Sequence, residues 1–188
     1  EFPDVKVGGP VICRFHPTEK NPGKPDDVGH TFLRYCKEHG CPLDFFAWHR
    51  YDSALPGILA EPANMRKAVD SYGFTKAELI LNEWHYWVGG FSPAAYSAGK
   101  DGLAGVNAAV FAPAVLPGWQ DSPLTMGHHY TIGPLSGYWG AWSQTGDAKT
   151  RFKLFYTLRY FAKMLDHPNR VAATSDQLNV QVLAGRSA

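Results

Sequence analysis

The sequence predicts an α/β fold built on a parallel sheet. Three observations carry that expectation. Short apolar, β-branched or aromatic runs alternate with stretches whose apolar residues recur at helical spacing. Glycines and prolines stand where the helical stretches should end. The strand–helix order then repeats four times before a last strand-like tail, the pattern of a parallel sheet covered by helices.

Taken in order, Val5-Lys6-Val7 reads as a short strand stopped by Gly8-Gly9-Pro10. Residues 11–27 read as a loop rich in Pro, Asn, Asp and Lys, long enough to be functional. Asp26 or Asp27 is the expected N-cap of a helix carrying Phe32, Leu33, Tyr35 and Cys36, with Gly40 as its terminator. A strand over Pro42–Tyr51, a helix over Leu59–Tyr72 closed by Gly73, and a strand over Ala77–Trp87 follow. After a Gly/Ser/Ala-rich loop at 88–101, a small-residue helix is expected over Leu103–Leu116 and a fourth strand over Leu124–Tyr130. An aromatic loop, Thr131–Asp147, carries Tyr138, Trp139 and Trp142. The last helix, Thr150–Leu165, aligns Phe152, Phe155, Leu158, Phe161, Ala162 and Leu165 on one face and is stopped by Pro168. The tail from Val171 to Leu183 alternates like an edge strand.

Four βα units make half of an eight-stranded barrel, which needs about 250 residues when complete. A smaller complete, doubly wound sheet is the alternative, although no Gly-x-Gly-x-x-Gly turn follows any strand. The 188 residues favour one domain or little more, and 45% hydrophobic residues suffice for a core. A net charge of +1 without a basic stripe argues against nucleic acid and anionic membranes as partners. The longest apolar stretch, Leu103–Pro117, is interrupted and too short to span a bilayer. Three cysteines, Cys13, Cys36 and Cys41, argue against a disulfide framework; a Cys36–Cys41 bridge is conceivable, and buried or inert thiols are the expectation. The start, Glu1-Phe2-Pro3, reads as cut from something longer.

In parallel α/β sheets and barrels, reactive residues sit where strands end. Leu79-Ile80-Leu81-Asn82-Glu83-Trp84-His85 is an apolar run ending in a carboxylate flanked by Asn, Trp and His. The second strand ends in Trp48, His49 and Tyr51, and the fourth in His128 and His129, which are adjacent and so face opposite sides. Tyr51 is placed to hydrogen-bond Glu83, and Trp84 and Trp87 either frame a ligand or pack under a loop. No His/carboxylate cluster has metal-ligand spacing, and no Gly-x-Ser-x-Gly elbow exists, so no metal, cofactor or serine nucleophile is expected. Glu83 as a nucleophile suggests retaining glycoside hydrolysis, which needs a second carboxyl about 5–5.5 Å away. Glu78 and Asp44 stand at strand starts, the wrong end, and Asp52 is the remaining carboxylate near the right face.

Val7-Gly8-Gly9-Pro10, Phe32-Leu33-x-Tyr35-Cys36, Pro42-Leu43-Asp44-Phe45 leading to Trp48-His49-x-Tyr51, and the strand ending Asn82-Glu83-Trp84 together resemble glycoside hydrolase family 39. This is the family of β-xylosidases and α-L-iduronidases, within the clan of retaining (β/α)8 glycosidases. The resemblance covers nearly the whole chain. It implies the C-terminal half of a TIM barrel, strands five to eight, over residues 1–168, and the first strand of a truncated β-sandwich appendage over 169–188. It implies Glu83 as catalytic nucleophile ending the seventh strand, His49 and Tyr51 as the cluster ending the sixth, and Gly8-Gly9-Pro10 as the end of the fifth. Asn82, Trp84, His85, His128, Tyr138 and Trp139 join His49 and Tyr51 as candidate substrate contacts. The family's acid/base lies in an Asn-Glu-Pro motif after the fourth strand, which this sequence does not contain. His85 and the loop 131–147 depart from the family pattern and leave the sugar open.

Three readings follow. The chain is half of a retaining glycosidase, completed by a missing N-terminal half-barrel; or it binds carbohydrate without hydrolysing it; or its unpaired strand edges and half-core close by forming a homodimer.

Overall fold

The computed structural model describes residues 4–13, 15, 27–88, 103, 105–133, 140–142, 150–177 and 180–187. Four strands, β1 (Gly8–Ile12), β2 (Phe45–Asp52), β3 (Glu78–Tyr86) and β4 (Met126–His129), form one sheet in that order. Helices α1 (Val28–Glu38), α2 (Leu55–Ser71) and α3 (Val106–Gly118) connect them, and α4 (Lys153–Ala162) follows β4. The alternating order expected from the sequence is therefore present, as a parallel α/β sheet.

Hydrogen bonds set the strand directions. β1 and β2 pair in parallel, Gly8 against Phe45 through Ile12 against Trp48. Along β2 and β3 the bonded positions rise together: Glu78 N donates to Asp44 O at 2.8 Å and Trp87 N to Asp52 O at 3.0 Å. At the start of β4, Thr125 N donates to Leu79 O at 2.9 Å, and Thr125 Oγ1 accepts from Leu79 N at 3.2 Å.

The first strand departs from expectation. Gly8-Gly9-Pro10 is not the stop but the strand itself, and the expected Val5–Val7 segment only leads into it. The reason is close approach. A Cβ on Gly8 would lie 2.1 Å from the carbonyl oxygen of Phe45, so only glycine admits β2 at this distance. The register then shifts between Pro10 and Ile12, and Val11 takes a φ of 60°, rare for a β-branched residue. The tail also differs. In place of one edge strand at 171–183, β5 (Asn169–Val171) and β6 (Ala184–Arg186) pair antiparallel as a separate two-stranded sheet.

The backbone divides into two compact units. The first comprises Glu1–Arg50, Ala60–Trp84 and Ser122–His128. Its core holds Leu33, Phe46, Trp48, Met65, Val69, Leu79 and Leu81, all fully buried. β2 buries the consecutive run Phe46-Ala47-Trp48 and so does not alternate cleanly, whereas in β3 buried Leu79 and Leu81 alternate with half-buried neighbours. Gly40, at φ +63°, ends α1 as the sequence suggests. Cys41 N reaches back to Cys36 O at 2.9 Å and Gly40 N to Lys37 O at 3.5 Å, the two bonds of a Schellman closure.

The second unit comprises Tyr51–Leu59, His85–Asp121 and His129–Ala188. Here α3 packs on α4, and Thr157 Oγ1 donates to Ala109 O at 2.9 Å. Ile58 and Val115 are fully buried, and Trp119 Nε1 donates to Ile58 O at 3.1 Å. Trp142 stands edge-on to Phe155 at 6.0 Å. The expected loop at 88–101 falls almost entirely outside the described residues, as do most of 11–27 and most of 131–147.

Candidate active site

In β3, Leu79, Leu81 and Glu83 share one face because successive side chains alternate. The two leucines are fully buried. Glu83, two residues further on, reaches the carboxyl end of the strand and is 29% exposed. An apolar anchor and an accessible carboxylate on one rigid strand give a fixed, solvent-reachable acid group. Asn82 and Trp84 fall between these positions and project to the other face by the same alternation.

His49 comes from the carboxyl end of β2. Its Nδ1 lies 3.2 Å from Glu83 Oε2, and its side chain is 11% exposed. A carboxylate oxygen only accepts, so the contact assigns the shared proton to Nδ1. The other ring nitrogen, Nε2, is buried without a hydrogen-bond partner among the described residues. The two residues singled out at these strand ends thus meet, each held by a strand whose neighbouring residues are core.

The other carboxylates of the argument have structural work. Glu78 pairs with Lys6 at the strand start. Asp44 Oδ2 accepts from Val7 N at 2.8 Å, stapling the start of β1 to β2. Asp52 Oδ1 accepts from Ala54 N at 2.8 Å, turning the chain toward α2. Glu61, on α2, is buried and faces Arg50 at 3.7 Å.

Several expected contacts lie inside the fold. Trp84 is 1% exposed, so it serves packing rather than offering a face to a ring. His85 is fully buried; its Nδ1 donates to Tyr86 O at 3.1 Å. Its ring lies 4.4 Å from that of His129. Burial drives the His85 pKa well below its ordinary value, and the neighbouring His129 charge pushes the same way against the Tyr86 carbonyl. Burial likewise lowers His129 to about 4. Tyr51 packs, with Tyr130, against Trp87 and Leu103. His128 is exposed. Tyr138 and Trp139 lie outside the described residues.

Sequence reading missed Cys13. A buried or inert thiol is expected there, yet Cys13 is exposed and free, and its Sγ lies 3.5 Å from Nδ1 of His49. The signal was its place one residue beyond β1, at the same end of the sheet as His49 and Glu83.

Comparison of the sequence with protein-family profiles and with curated proteins gives no match. Comparison with solved structures finds a glucosidase from Croceicoccus marinus, 25% identical, with a TM-score of 0.71. The match covers 99% of this chain and 38% of the glucosidase, so the chain spans well under half of that protein's length. The fold is therefore glycosidase-like, and its likeness is to one part of a larger glucosidase.

Proposed function

We propose that the chain is the C-terminal half of a retaining glycoside hydrolase barrel of the family 39 type, with Glu83 as the nucleophile. One observation carries the reading: a solvent-reachable carboxylate at the carboxyl end of a parallel strand, oriented by an imidazole at 3.2 Å from the neighbouring strand. In this reading Glu83 attacks the anomeric carbon of a pyranoside and forms a glycosyl-enzyme ester. The departing oxygen takes its proton from a second carboxyl group, and the same group later activates water. Among the described residues the alternatives Glu78, Asp44 and Asp52 are engaged elsewhere. The resemblance to family 39 implies that the acid/base comes from the N-terminal half of such a barrel. His49 keeps Glu83 pointed at the sugar, the positional help that a nucleophile receives from an oriented neighbour.

A 2-deoxy-2-fluoro glycosyl fluoride of the xylo or gluco series tests the assignment. The expected result is a single glycosyl adduct mapped to the peptide containing Glu83 once a complete site is assembled. An adduct on any other carboxylate defeats it. The second reading, a carbohydrate-binding half that turns nothing over and pairs with a second copy, is favoured by the same engaged carboxylates. Hydrolysis by the chain alone rules that second reading out.

A further inference from the structure

The end of α1 carries two thiols in contact. Cys36 lies in the last turn of the helix, and Cys41 follows the terminating Gly40. Both are free; Cys36 is buried and Cys41 half-buried. Their meeting follows from the Schellman closure. That motif bonds the N–H of its last residue to the carbonyl of its first, and it commonly sets their side chains against each other as an apolar contact. Here the bond runs from Cys41 N to Cys36 O at 2.9 Å. The side chains that meet are thiols, the Cys36 S–H donating to the Cys41 sulfur. Bond lengths alone cap the Cα separation across such a bond at about 6.8 Å, a limit reached only with every atom in line. Disulfides bridge Cα separations of about 4.4–6.8 Å. The turn therefore already holds the pair at bridging distance. A small apolar pair serves the motif equally well; two thiols add a chemistry that packing does not use.

We propose that Cys36 and Cys41 form a reversible dithiol–disulfide site, closed by exchange with a low-molecular-weight disulfide of the glutathione class, that clamps the junction between α1 and β2. In the first step the Cys41 thiolate attacks the external disulfide R–S–S–R. A Cys41–S–S–R bond forms and one R–S⁻ leaves. In the second, Cys36 gives up its proton and attacks the Cys41 sulfur, expelling the other R–S⁻. Two electrons pass from the protein sulfurs to the external disulfide, which departs as two thiols carrying the two protons. Cys41 is the entry because it is the less buried of the two. Burial, followed by the charge and hydrogen bonding of Cys41, pushes the Cys36 thiol up, so Cys36 is the poorer first attacker. Once Cys41 is held in a mixed disulfide its charge is gone, and Cys36 faces a sulfur it already touches. The location gives the bridge its effect. Asp44, three residues past Cys41, accepts from Val7 N through its carboxylate and from Glu78 N through its carbonyl, both at 2.8 Å. The starts of β1, β2 and β3 thus meet at this junction. Glu83 and His49 lie toward the other ends of β3 and β2, so the inference does not rest on the glycosidase reading.

The test uses the intact reduced chain, incubated with oxidised glutathione, blocked with iodoacetamide and digested with trypsin. Cleavage after Arg34, Lys37 and Arg50 puts the two cysteines on separate peptides, Tyr35–Lys37 and Glu38–Arg50. The expected product is these two peptides joined, short of two hydrogens, with glutathione on Cys41 only as a minor species. The oxidised chain is expected to unfold in urea at a midpoint about 0.5–1 M above the reduced chain, because the bridge restricts the unfolded state. Dithiothreitol is expected to reverse both changes. Cys41→Ser treated in the same way carries any modification of exposed Cys13 and is expected to show no such rise. The mapping and the midpoints of the parent decide the matter even where that variant does not fold. Glutathione that stays on Cys41 without the cross-link, or two thiols that remain free, overturns the proposal. So does an oxidised parent whose midpoint does not rise, or an equal rise in Cys41→Ser.

Discussion

Glu83 and His85 stand two residues apart on β3, and each has an imidazole for a neighbour: His49 for the first, His129 for the second. The pairs differ in two respects. Glu83 is partly open to solvent and its partner carries the complementary proton. His85 is sealed, and its partner is another base whose charge would oppose its own. In the first pair, proton and carboxylate attract, and a ligand has access. In the second, burial and like charge keep both rings neutral, so they pack and hydrogen-bond as polar core. Histidine at a strand end is therefore not informative by itself. Exposure and the chemistry of the partner decide whether it serves a site or the interior.

The comparison breaks first at the chemistry. On the proposed reading, in a protein with a complete site, Glu83→Gln is expected to lower kcat by at least about 10³-fold, as removal of a covalent nucleophile does. Its chemical denaturation midpoint should stay near the parent's, since the side chain is partly exposed. His85→Ala should do the reverse, leaving the chemistry and destabilising the fold. Steady-state kinetics and denaturation on both variants check this. A Glu83→Gln protein that still turns over, with a fold loosened like His85→Ala, would exchange the two roles.

Next comes the support beneath Glu83. Leu81 is fully buried on the face that carries Glu83. Leu81→Ala is expected to cost about 2–5 kcal/mol in urea denaturation, the range for buried leucine truncations. An effect under about 1 kcal/mol would mean that β3 is not the rigid element this site requires.

Acid titration then tests the second pair, in which His85 is fully buried and His129 half-buried. Both imidazoles have folded pKa values below the ordinary 6.5, and His129 falls to about 4. As pH drops, the unfolded chain takes up these protons first. The His129 contribution is thus complete above pH 6.5 and is lost progressively down to about 4, and His85 acts in the same direction. For His129 the loss amounts to up to about 3 kcal/mol, at roughly 1.4 kcal/mol per unit. Denaturation midpoints measured across this window should fall in the parent and fall less in His129→Gln. A flat parent profile would show that the pair is not buried as a neutral couple.

These residues also show what a sequence can and cannot reveal. Glu83 and His49 were legible because a polar group closing an apolar run has a preferred location, the strand's carboxyl end, whichever sheet it joins. Trp84 and His85 were not separable from them by type. Whether a strand-end side chain is open or sealed depends on which elements cover it, and that is a property of tertiary packing. Gly8-Gly9-Pro10 read as a stop because glycine and proline usually punctuate, yet Gly8 is required inside the strand by the nearness of Phe45. The same misreading hid Cys13: with β1 ended too early, the thiol fell into a loop and lost its place beside His49. Nothing in composition announces the backbone irregularity at Val11 that brings it there. Parallel order of the strands was legible from the alternation of elements alone, because connections of helical length leave few other solutions.

The smallest expected effect is also the control that keeps the acid titration interpretable. Asp121 and Arg170 form a two-pronged pair, with Nη2 to Oδ2 at 2.7 Å, wholly at the surface. The hydrogen bond from Arg170 holds the Asp121 carboxyl below its ordinary 3.8. Whatever this pair contributes is present above pH 3.8 and disappears only as the solution becomes more acidic still. It cannot produce a slope between pH 6.5 and 4. Exposed ion pairs are weakened by solvent screening and by the ordering of two long side chains. Asp121→Asn is accordingly expected to leave the neutral-pH midpoint unchanged within error, at low and at high salt. It is also expected to retain the full parent slope across the histidine window. If that slope vanished in Asp121→Asn and survived in His129→Gln, the acid sensitivity would belong to surface charge rather than to the His85–His129 imidazoles, and the contrast between the two pairs would lose its thermodynamic basis.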